Sequence, residues 1–341
     1  MADTPNDTLK VGIVGVGGMA QGHIERLLKM PDVALTGFCD ISAKSLERTR
    51  GRHGAAVAAI PEFDDYRRLL ETAPDAVVIC TPHTLHFPMA MDSLDAGCHV
   101  LLEKPMVNTV AEAHALLKKI DEKNAGGAGR VVGLGYQRHA EPRFRYIKKR
   151  IASGDFGAVQ FVNALQQQGW AKGTVGSWRQ DPAQSGGGQI NDSGSHLLDI
   201  VLWTTGLAPE KVAAFMDHRG TPVDINSALS IKFVGGAQGN ISVVGDAAGW
   251  YEDISIWCDS GSFYVRNDGS FNVQGTDGKT SAPNTAQMPA GSDVDTNFVR
   301  AIQGTEEIAA APINGLRTIE LTEAAWESAA AGGQVTPVRR S

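Results

Sequence analysis

The stretch SGGGQINDSGSHLLDIVLW, residues 185–203, carries Asp192, His196 and Asp199 at spacings of four and three. On a helix over about 190–204 these three side chains share one face. A carboxylate one turn from an imidazole orients the ring and raises its basicity, and histidine titrates near neutral pH. The pair therefore suits a general base for an alcohol proton. Two carboxylates and a histidine could instead bind a metal, but the spacing is not HExxH and no cysteine is near. A purely structural, hydrogen-bonded His196 is the third reading. Leu197, Ile200 and Val201 supply the packing face, and the glycines at 186–188 read as a flexible lead-in.

A second constellation lies near the start, in KVGIVGVGGMAQGH (10–23). Gly15-x-Gly17-x-x-Ala20 follows a predicted strand and opens a predicted helix, the pattern of a dinucleotide-binding loop. Gly15 permits the tight turn, Gly17 leaves room for a pyrophosphate, and the small Ala20 lets helix and strand pack closely. The helix N-terminus then offers N–H groups to the phosphates. Asp40 ends the next predicted strand, where a carboxylate binds ribose hydroxyls and repels a 2′-phosphate, so NAD is favoured. Lys44 and Arg48 keep NADP open as an alternative, and a structural glycine-rich turn is the competing reading.

Three shorter motifs end predicted strands or lie in loops. LLEKP (101–105) places Lys104 beyond a strand's carboxyl end, where open α/β sheets bind ligands. A solvated surface charge is its plainer alternative. TPHTLH (81–86) puts Thr81 and Pro82 in the equivalent place after another strand, with His86 as a candidate helix cap. GSWRQDP (176–182) offers the Trp178 indole and the Arg179 guanidinium, an apolar platform and a donor fork for a polyhydroxylated ring. An ordinary surface loop would explain the same residues.

The elements that must position these groups alternate in the first 135 or so residues. Strands at 10–15, 33–40, 75–80, 99–105 and 130–136 are separated by helices at 19–30, 84–97 and from Thr109, the last with a Thr109/Glu112 capping box. That spacing implies parallel strands with helices on both faces. Thereafter strands follow one another through turns, at 158–168, 211–218, 227–236, 239–247, 251–260 and 261–267, and all six tryptophans lie in this part. Helices are expected at 142–152, 190–204, 293–303 and 316–331. The fold class is therefore α/β plus α+β: an N-terminal doubly wound parallel sheet over 1–137, and a mostly antiparallel sheet with flanking helices over 138–341.

The bulk numbers agree with two domains of an ordinary soluble protein: 341 residues, 42% hydrophobic and 20% charged. A net charge of −7 argues against a nucleic-acid or anionic-membrane partner. The polar opening MADTPNDTLK lacks an apolar signal core, and no stretch reaches the length of a spanning helix. The expected compartment is the cytoplasm, with Cys39, Cys80, Cys98 and Cys258 as free thiols.

With these pieces in order, the chain resembles the Gfo/Idh/MocA oxidoreductases, named for glucose-fructose oxidoreductase and inositol dehydrogenase. The carrying residues are GVGGMA (15–20), Asp40, TPHTLH, EKP (103–105), GYQRHAEP (135–142), and Asp192-x-x-x-His196 with Asp199. AAWESAAAGGQVTPV (324–338) also fits the family's last helix, so the resemblance spans almost the whole chain. It implies a Rossmann domain followed by an open-faced sheet that builds homodimers or homotetramers. It implies NAD(P) held by Gly15, Gly17, Gly18, Met19, Ala20, Asp40, Thr81, Pro82, His83, His86, Glu103 and Lys104, with no metal. It implies a sugar or polyol substrate and Lys104, Asp192 and His196 as the catalytic set; with Trp178 and Arg179, read from their own chemistry, these are the expected substrate contacts. Two positions depart from the pattern: His83 stands where many relatives have asparagine, and His139 where an aromatic or basic residue is common.

The expected activity is hydride transfer between a secondary alcohol and the nicotinamide. His196 would remove the hydroxyl proton, Lys104 would stabilise the alkoxide, and Asp192 would hold the imidazole tautomer. The same residues would also serve a glycosidase or lyase that recycles its NAD through transient oxidation and elimination. A non-enzymatic NAD- or sugar-binding regulator is the remaining alternative.

Overall fold

Unbroken runs of Val, Ile, Leu and Ala make strands buried on both faces. Six strands form the first sheet: β1 (Leu9–Val14), β2 (Val33–Cys39), β3 (Glu62–Phe63), β4 (Ala76–Ile79), β5 (His99–Leu102) and β6 (Val132–Leu134); β4 is such a run, buried throughout, whereas the edge strand β3 is a short, partly exposed pair with no such pattern. In the computed structural model, which describes residues 8–125 and 129–340, their order is β3-β2-β1-β4-β5-β6. Every pairing is parallel. The chain reverses direction of travel between β1 and β4, which makes a crevice at the strands' carboxyl ends. The polar opening segment before Thr8 lies outside the described residues.

Helix Gly18–Leu27 packs on this sheet through Ala20, Ile24 and Leu27. The stretch expected as one helix over 84–97 is a tight turn, His83–Leu85, followed by helix His86–Asp95. Helix Val110–Ala125 starts where the capping residues place it. Its box is shifted: Thr109 Oγ1 accepts the Glu112 N–H at 3.1 Å, but Glu112 Oε2 accepts from Asn108 N–H at 3.1 Å rather than from Thr109. Helix Ala43–His53 escaped the sequence reading because only Leu46 and Thr49 are buried along it.

The second sheet contains β7 (Val159–Gln167), β8 (Pro209–Asp217), β9 (Asn226–Phe233), β10 (Gln238–Val244), β11 (Tyr251–Cys258), β12 (Gly261–Arg266), β13 (Phe271–Gln274), β14 (Thr280–Ser281) and β15 (Thr336–Pro337). Its order is β14-β13-β12-β11-β7-β10-β9-β8-β15, and among the described residues only the central β7–β10 pairing is parallel. Burial alternates along β9 and β10, as a sheet with one covered face requires. The covered face carries helices Pro142–Ala152, Gly194–Thr205 and Pro312–Ala330, whose apolar residues join the same core.

The chain forms two compact units. The first comprises the chain up to Met106, His114–Gly135 and Asp293–Pro312; the second comprises Val107–Ala113, Tyr136–Ser292 and the chain from Ile313. A single cut at 137/138 assigns 293–303 to the second half, whereas helix Val294–Ile302 belongs to the first unit. Its Phe298 and Val299 are buried in the core of the parallel sheet, and Leu134 N–H donates to Ala310 O at 2.9 Å. The four cysteines are free, and among the described residues no helix is long and apolar enough to cross a membrane.

Candidate active site

Beyond β1 the chain turns at Gly15, where φ is +83°. A Cβ there would fall 2.8 Å from the Cys80 backbone, so the turn requires glycine. At Gly17 and Gly18 a Cβ would meet nothing within 4 Å, leaving open space in front of the loop. Gly17 begins helix Gly18–Leu27 without a side-chain cap, so no side chain there claims the first-turn N–H groups. Ala20 is fully buried and Met19 is half exposed. Asp40 Oδ2 accepts the Val16 N–H at 2.9 Å and Oδ1 the Ser42 N–H at 2.8 Å. The carboxylate is thus aimed by the loop it serves, with lone pairs left for ribose hydroxyls. A loop this bare, over an aimed acid, fits a dinucleotide.

Thr81 and Pro82 follow β4, and the His83 and His86 rings are buried 5.7 Å apart. His86 opens its helix but does not cap it. Its Nδ1 lies 2.7 Å from Pro105 O and its Nε2 3.0 Å from Thr81 O, so the ring ties the turn after β4 to the turn after β5. Burial, reinforced by His83, pushes its pKa down to about 4. A neutral ring then donates to one carbonyl at a time.

Lys104 stands two residues past the end of β5, is nearly buried, and precedes a cis bond to Pro105. Its N–H donates to Glu103 Oε2 at 3.1 Å, while Glu103 Oε1 lies 3.1 Å from His23 Nε2. Glu103, expected at the cofactor, turns its carboxylate into the unit. His23 Nδ1 lies 2.7 Å from Asp295 Oδ1. Burial opposes a charge on His23, but the Cys80 sulfur and hydrogen bonds to Asp295 and Glu103 hold its pKa well above the ordinary value. Burial also pushes the Cys80 thiol up, so the two carboxylates are the charges that matter.

In the second unit, the expected helix over 190–204 starts at Gly194. Asp192 lies in the turn before it, with its N–H donating to Gly188 O at 3.0 Å. Asp192, His196 and Asp199 therefore do not share a helix face. The glycines at 186–188 are packed rather than flexible. Gly186 has φ +69° and abuts Asn108, a Cβ on Gly187 would fall 2.5 Å from the Trp326 ring, and one on Gly188 would strike the Asp224 backbone. Asp224 accepts N–H bonds from Gly188 (3.0 Å), Ile190 (2.9 Å) and the Trp326 indole (3.1 Å). This clamp delays the helix past Asp192.

The released carboxylate gathers the loop. Asp192 Oδ2 accepts from Trp170 Nε1 at 2.8 Å and from Arg179 Nε at 2.9 Å, and the Arg179 guanidinium lies 4.4 Å over the Trp178 ring. Three predicted residues, Trp178, Arg179 and Asp192, thus come together around Trp170, a lone tryptophan with no motif to mark it. His196, in the first turn of the helix, has the Tyr136 ring edge-on at 5.8 Å. Ser193 donates to Gln166 Oε1 at 3.1 Å, Gln166 donates to Glu252 Oε2 at 3.1 Å, and Arg138 donates to that same oxygen at 2.7 Å. Among the described residues no group of three or more His, Cys, Asp or Glu side chains is arranged to hold a metal ion.

Known proteins share this architecture. The family model described as an oxidoreductase family with an NAD-binding Rossmann fold matches residues 9–126, and the GFO/IDH/MocA C-terminal domain model matches residues 144–280. The chain is 25% identical to inositol 2-dehydrogenase of Rhizobium meliloti, over 96% of this chain and 99% of that one. It is 30% identical to inositol 2-dehydrogenase of Leifsonia xyli, over 68% of this chain and 69% of that one. A solved levoglucosan dehydrogenase, in complex with NADH and levoglucosan, has the same fold: TM-score 0.82 at 21% identity, over 97% of this chain and 100% of that one. The chain belongs to the Gfo/Idh/MocA family of oxidoreductases, whose first domain is an NAD-binding Rossmann fold.

Proposed function

We propose that the protein is an NAD-dependent dehydrogenase oxidising a secondary alcohol of a sugar or polyol. One observation carries the reading. The glycine loop at 15–18, Asp40, Thr81 with Pro82, and Lys104 all stand just beyond the carboxyl ends of β1, β2, β4 and β5 of a single parallel sheet. The substrate class is supported by relatives named for inositol and by a neighbour holding levoglucosan.

Gly15, Gly17, Gly18, Met19, Ala20 and Asp40 would hold the adenosine and pyrophosphate of the cofactor. Thr81, Pro82, His83 and Lys104 would line its nicotinamide half, with His86 and Glu103 behind them. Bound NAD would supply the hydride acceptor. His196 takes the proton of the hydroxyl being oxidised. Lys104 neutralises the charge that develops on that oxygen. Asp192 favours the proton-accepting tautomer of His196 and fixes Arg179 over Trp178, where the pair grips the sugar ring. NADP remains the alternative cofactor, given Lys44 and Arg48.

The outer face of the second sheet leaves Phe161, Trp257 and Tyr264 partly exposed and Phe215 largely so. We assign homodimer or homotetramer contacts to this face. Four free cysteines support a reducing, cytoplasmic setting.

The test is a panel of polyols and aldoses with NAD or NADP, read by reduced-nicotinamide absorbance. Lys104→Ala and His196→Ala should each lose about 100-fold or more in kcat while NADH still binds. Wild-type rates in either variant remove that residue's assignment. Release of a sugar substituent without NADH would replace the dehydrogenase by a redox-neutral elimination.

A further inference from the structure

We propose that His23 is a positioning residue for the reaction: held between Asp295 and Glu103, it aims the Glu103 carboxylate, which in turn anchors the backbone of Lys104. The inference rests on Lys104 acting at the alcohol oxygen. It concerns how the chain fixes that lysine.

Past Leu102 the chain leaves the sheet. Glu103 N–H still donates to Ile79 O at 2.9 Å, but Lys104 N–H turns to the Glu103 carboxylate, and Pro105 has no N–H to give. The direction in which Lys104 departs from β5 therefore depends on where that carboxylate points. A free glutamate would sample many rotamers and lose that freedom when frozen. Here His23 Nε2 takes Oε1 at 3.1 Å, and Oε2 is left for the Lys104 amide. Gly135 makes the space: a Cβ on it would lie 2.6 Å from Glu103 Oε1.

His23 is itself held. Asp295 Oδ1 meets its Nδ1 at 2.7 Å, and Arg26 Nε meets Asp295 Oδ2 at 2.5 Å. Asp295 is set in the first turn of helix Val294–Ile302 by Asp293, whose Oδ1 accepts the Asp295 and Thr296 N–H groups at 3.0 and 2.9 Å. The Asp293 carboxylate also lies 3.5 Å from Arg26 Nε. Two segments distant in sequence thus converge on one imidazole. His23, Asp295 and Glu103 are 1%, 0% and 7% exposed, so water does not screen the chain of charges. Buried ion pairs of this kind often contribute little net stability compared with apolar packing, and fixing a geometry is their better-attested use.

The experiment compares His23→Leu, Glu103→Ala, Glu103→Gln, the His23→Leu/Glu103→Ala double variant and Lys104→Ala, all in the full chain. It reads kcat, the substrate KM, the NADH dissociation constant from nicotinamide fluorescence, and the thermal midpoint. His23→Leu and Glu103→Ala should each lower kcat by roughly 10- to 100-fold, the scale of an ångström's misplacement, with NADH affinity within about 3-fold of wild type. The double variant should be no worse than the poorer single, as residues acting in one chain behave. Glu103→Gln keeps an acceptor for the Lys104 amide and should recover most of kcat.

Parallel losses in kcat, NADH affinity and melting temperature would make the cluster merely structural and overturn the proposal. So would multiplicative losses in the double variant, or wild-type kcat in the single variants beside an inactive Lys104→Ala. An active Lys104→Ala would instead remove the assignment of Lys104, on which the proposal stands. If His23→Leu does not fold, His23→Gln, with its shorter reach to Glu103, takes its place under the same criteria.

Discussion

Asp199 and His139 meet at 2.7 Å, Oδ2 to Nε2, with both side chains buried. Trp203 stacks on the His139 ring at 4.1 Å, Tyr136 lies near-parallel to it at 6.2 Å, and Tyr136 meets His196 edge-on at 5.8 Å. Asp199, expected to share a helix face with Asp192 and His196, thus fixes a ring one layer behind the candidate base. Burial pushes the Asp199 carboxyl up, and the adjacent His139 only partly offsets it.

Removing one partner of such a pair strands the other. Asp199→Ala should therefore cost about 3–5 kcal/mol in urea unfolding, and Asp199→Asn, which still accepts from His139, clearly less. Equal costs for the two substitutions would show that the hydrogen bond to His139 contributes nothing.

The inner strands of the parallel sheet were legible because they are largely apolar, and the glycine loop because Gly15 is demanded by its backbone and Gly17 leaves open space in front of the loop. Helix Gly194–Thr205 starts later than the sequence pattern predicts, for a physical reason. Gln189, Ile190 and Asn191 suit a helix locally, but Asp224, 36 residues after Gly188, takes the N–H groups of Gly188 and Ile190. Trp170 and Asp295 reach their partners by tertiary folding alone, 22 residues from Asp192 and 272 from His23, and no local pattern announces either.

The clamp on the glycines makes its own prediction. A Cβ at Gly188 would strike the Asp224 backbone, and neither side can yield without breaking the bonds that Asp224 makes. Gly188→Ala should destabilise the chain by about 3 kcal/mol or more, the range of overpacking combined with broken buried bonds. Asp224→Asn, which keeps one acceptor oxygen, should cost less. A soluble Gly188→Ala with unchanged urea midpoint would show that the loop can move aside.

Arg179 is held from two sides, by Asp192 through Nε and by the Trp178 face. Lysine can neither reach Asp192 with a planar fork nor stack in the same way. Arg179→Lys should therefore raise the substrate KM about 10-fold with a smaller change in kcat, the signature of lost ground-state binding. Loss of kcat with KM unmoved would assign Arg179 to the transition state instead.

Stability should fall in mild acid. His99 Nδ1 accepts the Val131 N–H at 2.9 Å, which needs a neutral ring, and burial with help from Arg130 pushes its pKa from 6.5 down to about 4. His86 reaches the same value, chiefly through burial. Between pH 6.5 and 4 the unfolded chain binds more protons than the folded one, so this contribution is full above 6.5 and lost as pH falls. For fully buried His86 it amounts to about 3 kcal/mol; His99, more exposed, gives less. His23 has the opposite sign, its raised pKa adding stability below pH 6.5 that fades as pH rises through its folded value. His99→Asn retains an acceptor for Val131 but cannot titrate, so its urea midpoint should fall less than wild type's from pH 7 to pH 5. Identical slopes would exclude His99 from the effect.

Cofactor preference is expected to turn on Asp40. Its oxygens accept the Val16 and Ser42 N–H groups, ordering the glycine loop, and in the proposed cofactor site its charge would repel a phosphate on the ribose 2′ oxygen. Asp40→Ala would remove both and confuse the outcome. Asp40→Ser removes the charge but keeps a hydroxyl that can accept a backbone N–H. Lys44 and Arg48 follow on helix Ala43–His53, four residues apart and both exposed, so they share a face near the vacated charge. The ratio of kcat/KM with NAD to that with NADP should drop by about 10-fold or more in Asp40→Ser, since like-charge contacts cost this much or more. Were NAD and NADP to weaken equally, Asp40 would be ordering the loop without reading the ribose.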